Sequence, residues 1–116
     1  MNDHKKIDPN LLDRHCKPCT ASTMPLSQGQ INLMLSRLAN WQQNNQLICK
    51  SFDFQNFHQT MSFVNAVAWV ANQEDHHPEL KVSYSKCEIE FTTHAIKGLS
   101  ENDFICAAKV DALLKS

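Results

Sequence analysis

Two neighbouring segments of alternating polarity constrain the fold of this chain more than any other feature. In ELKVSYSK, residues 79–86, Leu80, Val82 and Tyr84 fall on one side and polar residues on the other. In CEIEFTT, residues 87–93, every second side chain is again apolar or small. Such alternation is typical of β-strands with one face against a core. Because only a short SK step joins the two runs, they predict an antiparallel hairpin.

A long helix is predicted directly before this hairpin. Residues 54–73 carry apolar side chains in two adjacent stripes that together cover roughly half of the helix circumference, and Asp53 is the expected cap. One sheet needs a narrower stripe, so a second contact is expected, either with another subunit or with another helix of the same chain. The helix should end near Asp75, because Pro78 disfavours helical geometry in the residue before it.

Two further helices and a second hairpin complete the pattern. Ser27 precedes apolar residues spaced by three and four, which predicts a capped helix. The NN dipeptide before QLICKSFDF indicates a hairpin turn. Ser100 and Asp103 have the spacing of a capping box, and Gly98 before them predicts a turn with positive φ. The order α-β-β-α-β-β-α predicts an α+β fold, a four-stranded antiparallel sheet with three helices on one face.

Length and charge limit the number of domains and the classes of partner. A chain of 116 residues suits one domain, with residues 1–25 predicted as an irregular arm and residues 26–116 as the folded part. The net charge of −1 offers no basic surface for nucleic acid. The first residues lack a signal-peptide pattern, and no apolar run approaches a membrane span. The cytoplasm is therefore the expected location, and neither nucleic acid nor membrane is an expected partner.

The arm contains the sequence HCKPC, residues 15–19, with two of the five cysteines. A single C-x-x-C is at most half of a structural zinc site, because a second ligand pair at suitable spacing does not follow. Cys16 and Cys19 are therefore read either as a metal or redox motif or as a simple pair of reduced thiols in a flexible arm.

Three histidines and one aspartate are the candidates for chemistry. His76 and His77 stand where the long helix ends, and His94 follows the fourth strand. In an antiparallel hairpin the start of one strand lies beside the end of the other, so the three should meet at one sheet edge. Asp103 is reachable from that edge through the short Gly98 turn. Imidazole gives or takes a proton near neutral pH, which makes this cluster a candidate catalytic centre.

Several uses of the cluster stay open at this point. Three imidazoles and a water can form a catalytic zinc site, although adjacent histidines do not match the i, i+4 spacing of a helical zinc motif. The same histidines can instead act as general acid and general base. Without any chemistry, His76 and His77 would be a solvated helix end and Asp103 a capping residue.

The segments EDHHPELKVSYSK, TTH and KGLSENDF closely resemble the signature of the pterin-4a-carbinolamine dehydratases. In that family a histidine pair and a proline precede an aromatic residue, a histidine and an aspartate, here His76, His77, Pro78, Tyr84, His94 and Asp103. The resemblance covers roughly residues 27–114, and the HCKPC arm also resembles that of some bacterial members. Three positions, Asn72, Leu80 and Asn102, depart from residues common in the family.

The resemblance implies a metal-free lyase without a cofactor, since the pterin is the substrate. It would dehydrate 4a-hydroxytetrahydrobiopterin to the quinonoid dihydropterin and so recycle the pterin of aromatic amino acid hydroxylases, phenylalanine hydroxylase among them. It also implies an α+β fold that forms homodimers or homotetramers. The alternatives to this lyase are a catalytically inactive binding module of the same fold and a zinc hydrolase.

The resemblance also implies roles for individual residues. His76 and His94 would transfer protons, His77 would hold and polarise the pterin, and Asp103 would orient a histidine. Four neighbours of these residues are expected to contact the substrate: Asp75, Pro78, Glu79 and Thr93.

Overall fold

The computed structural model describes residues 9–114, which form a four-stranded antiparallel sheet and four α-helices. This confirms the predicted α+β class, in which the three longer helices follow the predicted order. The elements in chain order are α1 (Pro9–Asp13), α2 (Gln28–Leu35), β1 (Gln42–Asn44), β2 (Leu47–Asp53), α3 (Phe57–Glu74), β3 (Glu79–Val82), β4 (Lys86–Phe91), a 3₁₀ turn (His94–Ile96) and α4 (Glu101–Ala112).

The sheet has the strand order β1-β2-β4-β3, and every neighbouring pair is antiparallel. In the β3–β4 hairpin, Glu79 pairs with Glu90 and Val82 with Cys87. The start of β3 therefore lies beside the end of β4. This register confirms that the residues just before β3 and just after β4 share one edge of the sheet.

Alternation along β2 and β4 creates the face on which the helices pack. Ile89 and Phe91 are at most 1% exposed, whereas Glu88 and Glu90 between and beside them remain partly accessible. Helix α4 lies against this face and is almost wholly buried. The largest fully buried side chains, apart from polar ones, are Phe91, Phe104, Leu11, Ile48, Ile89, Leu99, Ile105, Val67 and Val110.

A charged pair crosses from the sheet to α4 inside this core. Lys50 Nζ on β2 donates to Asp111 Oδ1 at 2.8 Å, and Trp41 Nε1 donates to Asp111 Oδ2 at 3.0 Å. Burial raises the pKa of the Asp111 carboxyl, and the hydrogen bonds and charge from Lys50 and Trp41 offset this only in part. Both oxygens of Asp111 are used, as a buried carboxylate requires.

Helix caps were predicted correctly at two of three positions. Ser27 and Ser100 each form a capping box with the residue three positions later, as expected. The predicted cap of α3, Asp53, is wrong, because Asp53 is the last residue of β2 and pairs with Lys86. Asn56 caps the helix instead, and its side chain accepts a hydrogen bond from the Gln59 N–H at 2.9 Å.

The expectation for Gly98 is also corrected. The positive φ of this turn falls on Lys97, at 52°, and Gly98 does not have one. A Cβ at position 98 would lie 3.0 Å from Pro25 Cβ, which is tighter than ordinary contact. Close packing of the arm on this turn, rather than left-handed backbone, therefore accounts for the glycine.

The arm is more ordered than its sequence predicts. Residues 9–13 form α1, which packs on α4, and Leu11 is completely buried. The prediction of an irregular arm is wrong for this helix, because one leucine anchored in the core outweighs a polar composition without helical period. Residues 1–8 lie outside the described part, and the boundary between arm and domain at residue 25 stays a prediction.

The broad apolar face of α3 is covered only in part. Phe63, Val67 and Val70 are buried, and α3 packs on α4. On the other stripe, Phe57 is 48% exposed, and the neighbouring Trp69 is 63% exposed. Within residues 9–114, no helix is both long enough and apolar enough to cross a membrane.

Candidate active site

An open cleft of about 600 Å³ lies at the sheet edge where β3 begins and β4 ends. Four parts of the chain line it: residues 16–19 of the arm, residues 73–77 at the end of α3, residues 92–95 after β4, and Asn102 at the start of α4. A cleft of this size suits a small-molecule ligand, and polar and ionisable groups converge in it.

The end of α3 directs His76 and His77 towards this cleft. Asp75 adopts a left-handed conformation with φ 52° and ψ 44°, and the His76 N–H donates to the Ala71 carbonyl at 3.1 Å. A left-handed residue at a helix end turns the chain off the helix axis, and aspartate tolerates it better than most residues. Pro78 then cannot continue the helix.

Asp103 is the buried centre of a hydrogen-bond network below the cleft. Its side chain is fully buried, and His76 Nε2 lies 2.7 Å from Oδ1. Oδ2 accepts from Thr93 Oγ1 at 2.8 Å and from the Ser100 N–H at 3.0 Å. A carboxylate can only accept hydrogen bonds, so Nε2 is the protonated ring nitrogen of His76 in this pair. Asp103 therefore fixes the tautomer of His76 and joins α4 to Thr93.

The His76 ring is also held by an aromatic contact. It stacks on Phe91 with 6.0 Å between ring centroids and 10° between ring planes, and its side chain is 12% exposed. His77 and His94 are exposed in the cleft, and within residues 9–114 their rings have no hydrogen-bond partner. One histidine is thus fixed by the protein, while two are free to meet a ligand.

A tight turn after β4 places His94. Thr93 forms an isolated antiparallel bridge with Gly98, and residues between them make the 3₁₀ turn His94–Ile96. The Thr93 hydroxyl also contacts Ser100 Oγ at 2.8 Å. Since Thr93 donates to Asp103, the Ser100 hydroxyl donates to Thr93. The backbone at His94 is therefore held in place by Thr93, the preceding residue, which belongs to the Asp103 hydrogen-bond network.

The structure brings most of the predicted site residues together. Asp75, His76, His77, Thr93 and His94 line the cleft. Asp103 lies below it and reaches it through His76, whereas Pro78 and Glu79 follow the cleft in the chain and do not line it.

Sequence reasoning missed the contribution of the arm and of its two anchors, Glu74 and Asn102. Four residues of the arm line the cleft although none of them was predicted to belong to the site: Cys16, Lys17, Pro18 and Cys19. Glu74 was not predicted as a site residue, and its carboxylate oxygens contact the arm at Cys16 and His15. The HCKPC motif was the available signal, yet its partners lie 58 to 90 residues away.

The described residues also bear on the zinc alternative. Among residues 9–114, no three side chains of the metal-binding types are grouped so that they could share one ion. The three histidines line one cleft but are not arranged as a ligand set.

The fold and the cleft define a small α+β protein that carries a histidine–aspartate pair at one edge of an antiparallel sheet. The family model described as pterin 4 alpha carbinolamine dehydratase matches residues 24–113, and this chain belongs to that family. The resemblance found in the sequence is thereby confirmed.

Bacterial relatives match almost the whole chain. A protein of Nitrosomonas eutropha is 56% identical over 108 residues, which are 92% of this chain and 96% of the relative. One of Nitrosospira multiformis is 53% identical over 106 residues, or 91% and 94% of the two chains. Both are provisionally named pterin-4-alpha-carbinolamine dehydratases.

Solved structures share the fold. A transcriptional coactivator/pterin dehydratase from Brucella melitensis superposes with a TM-score of 0.76 at 30% identity, covering 78% of this chain and 99% of that one. A pterin dehydratase-like protein, identified as a RuBisCO assembly factor in the alpha-carboxysome, has a TM-score of 0.55 at 27% identity, with 66% and 88% coverage. The fold therefore occurs in proteins described with different roles.

Proposed function

We propose that this protein is a 4a-hydroxytetrahydrobiopterin dehydratase, a lyase that removes water from pterin-4a-carbinolamine and releases the quinonoid dihydropterin. The observation that carries the proposal is the buried His76–Asp103 pair beside a cleft lined by His77 and His94. Membership of the dehydratase family supports the choice of substrate.

The reaction requires two proton transfers. The C4a–O bond breaks as the hydroxyl group is protonated and leaves as water, and N5 loses its proton so that a C4a=N5 double bond forms. His76 is proposed as the base, because Asp103 occupies its Nε2–H and leaves Nδ1 with a lone pair. Asp103 would then stabilise the imidazolium that results. His94 is proposed as the acid, and general acid–base help of this kind contributes roughly 10²–10⁴-fold.

The remaining site residues are proposed to bind the pterin. His77 is exposed in the cleft and would hold and polarise the ring, and Asp75 and Thr93 line the same cleft. Pro78 and Glu79 are proposed to act indirectly, through the position of the chain as it enters β3.

The test is a dehydration assay on synthetic carbinolamine with and without a chelator. The wild type should accelerate dehydration equally in both, and His76→Ala and His94→Ala should each lower kcat by about 100-fold or more, as expected for the loss of a general acid or base. His58→Ala, on the exposed face of α3 outside the cleft, is the matched control. Unchanged turnover in His94→Ala would reject its role. Loss of activity with chelator would favour a zinc enzyme, and an inactive wild type would favour a binding module.

We further propose that the enzyme recycles the pterin of an aromatic amino acid hydroxylase such as phenylalanine hydroxylase. It would do so in the cytoplasm, where thiols are kept reduced. A coupled assay would measure hydroxylase turnover at limiting pterin. Turnover should rise when this protein is added and should not rise when His76→Ala is added.

Association into a homodimer or homotetramer is proposed on the basis of exposed apolar side chains. Every residue of the edge strand β3 is exposed, including Leu80 and Val82, and Phe57 and Trp69 are exposed on α3. An open strand edge and an apolar helix face are both surfaces that a second copy can cover. Sedimentation velocity should show more than one chain per particle, and a monomer at micromolar concentration would contradict this.

A further inference from the structure

We infer that the arm segment, residues 15–19, is one wall of the substrate cleft, and that Glu74 and Asn102 are positioning residues that hold it there. The inference rests on the proposed function, since it takes the cleft to be the pterin site.

Glu74 holds the first half of the arm segment. Its side chain is 4% exposed, Oε1 accepts from the Cys16 N–H at 2.7 Å, and Oε2 lies 2.9 Å from His15 Nδ1. Burial raises the pKa of this carboxyl, but hydrogen bonds from Cys16 and His15 and the nearby Lys109 outweigh it, so that the pKa lies below its usual value. Glu74 is therefore a charged acceptor whose two hydrogen bonds both go to the arm, while Lys109 on α4 lies 3.7 Å from Oε2.

Asn102 holds the second half through the backbone. Its Oδ1 accepts from the Lys17 N–H at 3.0 Å, and its Nδ2 donates to the Lys17 carbonyl at 2.7 Å. Nδ2 also lies 3.6 Å from Cys19 Sγ. The Asn102 amide thus bonds both the backbone N–H and the carbonyl of Lys17, as a neighbouring β-strand would. These two hydrogen bonds fix the position of the arm segment beside the cleft.

The cysteine between these anchors packs into the protein. Cys16 Sγ donates to the Asn102 carbonyl at 3.6 Å and lies 3.5 Å from Cys106 Sγ on α4. The backbone N–H groups of Cys16 and Lys17 are both occupied by the protein. The wall therefore offers a ligand its side chains, those of Lys17, Pro18 and Cys19, rather than these amides.

The two anchors are neighbours of the proposed catalytic residues. Asn102 directly precedes Asp103, which holds His76, and Glu74 stands two residues before His76. The first turn of α4 thus fixes the arm with one residue and the catalytic histidine with the next. The distance across the cleft is set by the same two helix ends that place the proton-transfer groups.

The helix α1 that precedes the arm segment is held on the domain by contacts of its own. Leu11 is completely buried, and Lys109 Nζ donates to the Leu12 carbonyl at 2.8 Å. These contacts keep α1 on α4 whatever the arm segment does. Variants at Asn102 can therefore release the wall while α1 stays bound.

The deciding variant is Asn102→Ala, which removes both contacts to Lys17 and leaves the Ser100 cap, because that cap bonds the Asn102 backbone N–H. We expect KM for the carbinolamine to rise roughly tenfold with kcat within about threefold, because ground-state and transition-state binding weaken together. The Kd of 7,8-dihydrobiopterin, a pterin that cannot be dehydrated, should rise equally. Asn65→Ala, on the exposed surface of α3 and outside the cleft, is the matched control and should change neither.

Hydrogen exchange at Cys16 and Lys17 reports whether the arm segment has been released. Faster exchange there in Asn102→Ala, with KM and Kd unchanged, would overturn the inference, and so would a KM unchanged in Lys17→Ala and Pro18→Gly together. Glu74→Gln keeps an acceptor for Cys16 and should raise KM less than Glu74→Ala. A wild type without dehydratase activity would instead refute the proposed function. If the wild type is active but KM does not change when the arm segment is released, only the inference that the arm forms a wall of the cleft is refuted.

Discussion

His76 and Asp103 are 27 residues apart in the sequence, yet Nε2 of one lies 2.7 Å from Oδ1 of the other. This contact joins the end of α3 to the start of α4. Thr93 binds the second oxygen of the same carboxylate, so the segment after β4 joins the same point. One buried carboxylate thereby gathers three separate chain segments around the cleft.

Asp103→Asn should lower kcat by about 100-fold, the order expected when a reacting group is displaced by about 1 Å. An amide has one acceptor oxygen, so it cannot serve His76 together with Thr93 and Ser100. Steady-state kinetics on the carbinolamine would measure this, with Asp53→Asn on the exposed end of β2 as control. A wild-type kcat in a folded Asp103→Asn protein would contradict the role of the pair.

The stability of the folded protein should depend on pH through Glu74, which anchors the arm. The pKa of Glu74 is lowered in the folded state from an ordinary value of 4.5, so the unfolded chain binds this proton more readily. The stabilising contribution of Glu74 is therefore complete when the pH is above the pKa of the unfolded state. It is lost as the pH falls through the lower pKa of the folded state. The difference in free energy of unfolding between wild type and Glu74→Gln should shrink as pH falls below about 4.5, as urea titrations would measure. A constant difference down to pH 3 would contradict this.

The cysteines should react in the order of their exposure. A hydrogen bond to Cys16 and burial raise the pKa of Cys106, and burial followed by the charge of Glu88 raises that of Cys87. The thiolate is the reactive form, so both should react with a disulfide reagent only when the protein unfolds, whereas Cys19 should react at once. Mass spectrometry of the labelled sites would test this, and in Cys19→Ser the native label at position 19 should disappear while Cys87 and Cys106 stay protected. Rapid native labelling of Cys106 would contradict its burial.

The Lys50–Asp111 pair should be costly to break but easy to replace. Asp111→Ala leaves a buried ammonium and the Trp41 N–H unpaired and should cost about 3–5 kcal/mol. Lys50→Met combined with Asp111→Leu should cost much less, because both charges are removed and only the Trp41 N–H is left unpaired. Urea unfolding of the two proteins would show the difference. Equal losses would indicate that packing, not charge, governs this position.

Local sequence signals were sufficient where the structure depends on near neighbours. The β3–β4 hairpin and the Ser27 and Ser100 caps were predicted because alternation and cap spacing act over a few residues. The cap of α3 was misplaced by three residues because Asp53 belongs to β2, where it pairs with Lys86, and Asn56 caps the helix. Gly98 was misread because its reason lies in Pro25, far away in the chain.

By itself, the sequence determined the fold class, the hairpin and the edge at which His76, His77 and His94 assemble, because periodicity and strand pairing are local or follow from local turns. Only the tertiary structure decided that Glu74 and Asn102 face the arm, that His76 rather than His77 binds Asp103, and that residues 16–19 line the cleft. These are contacts between groups 27 to 86 residues apart, and their direction depends on how the helix ends pack, which no spacing along the chain encodes.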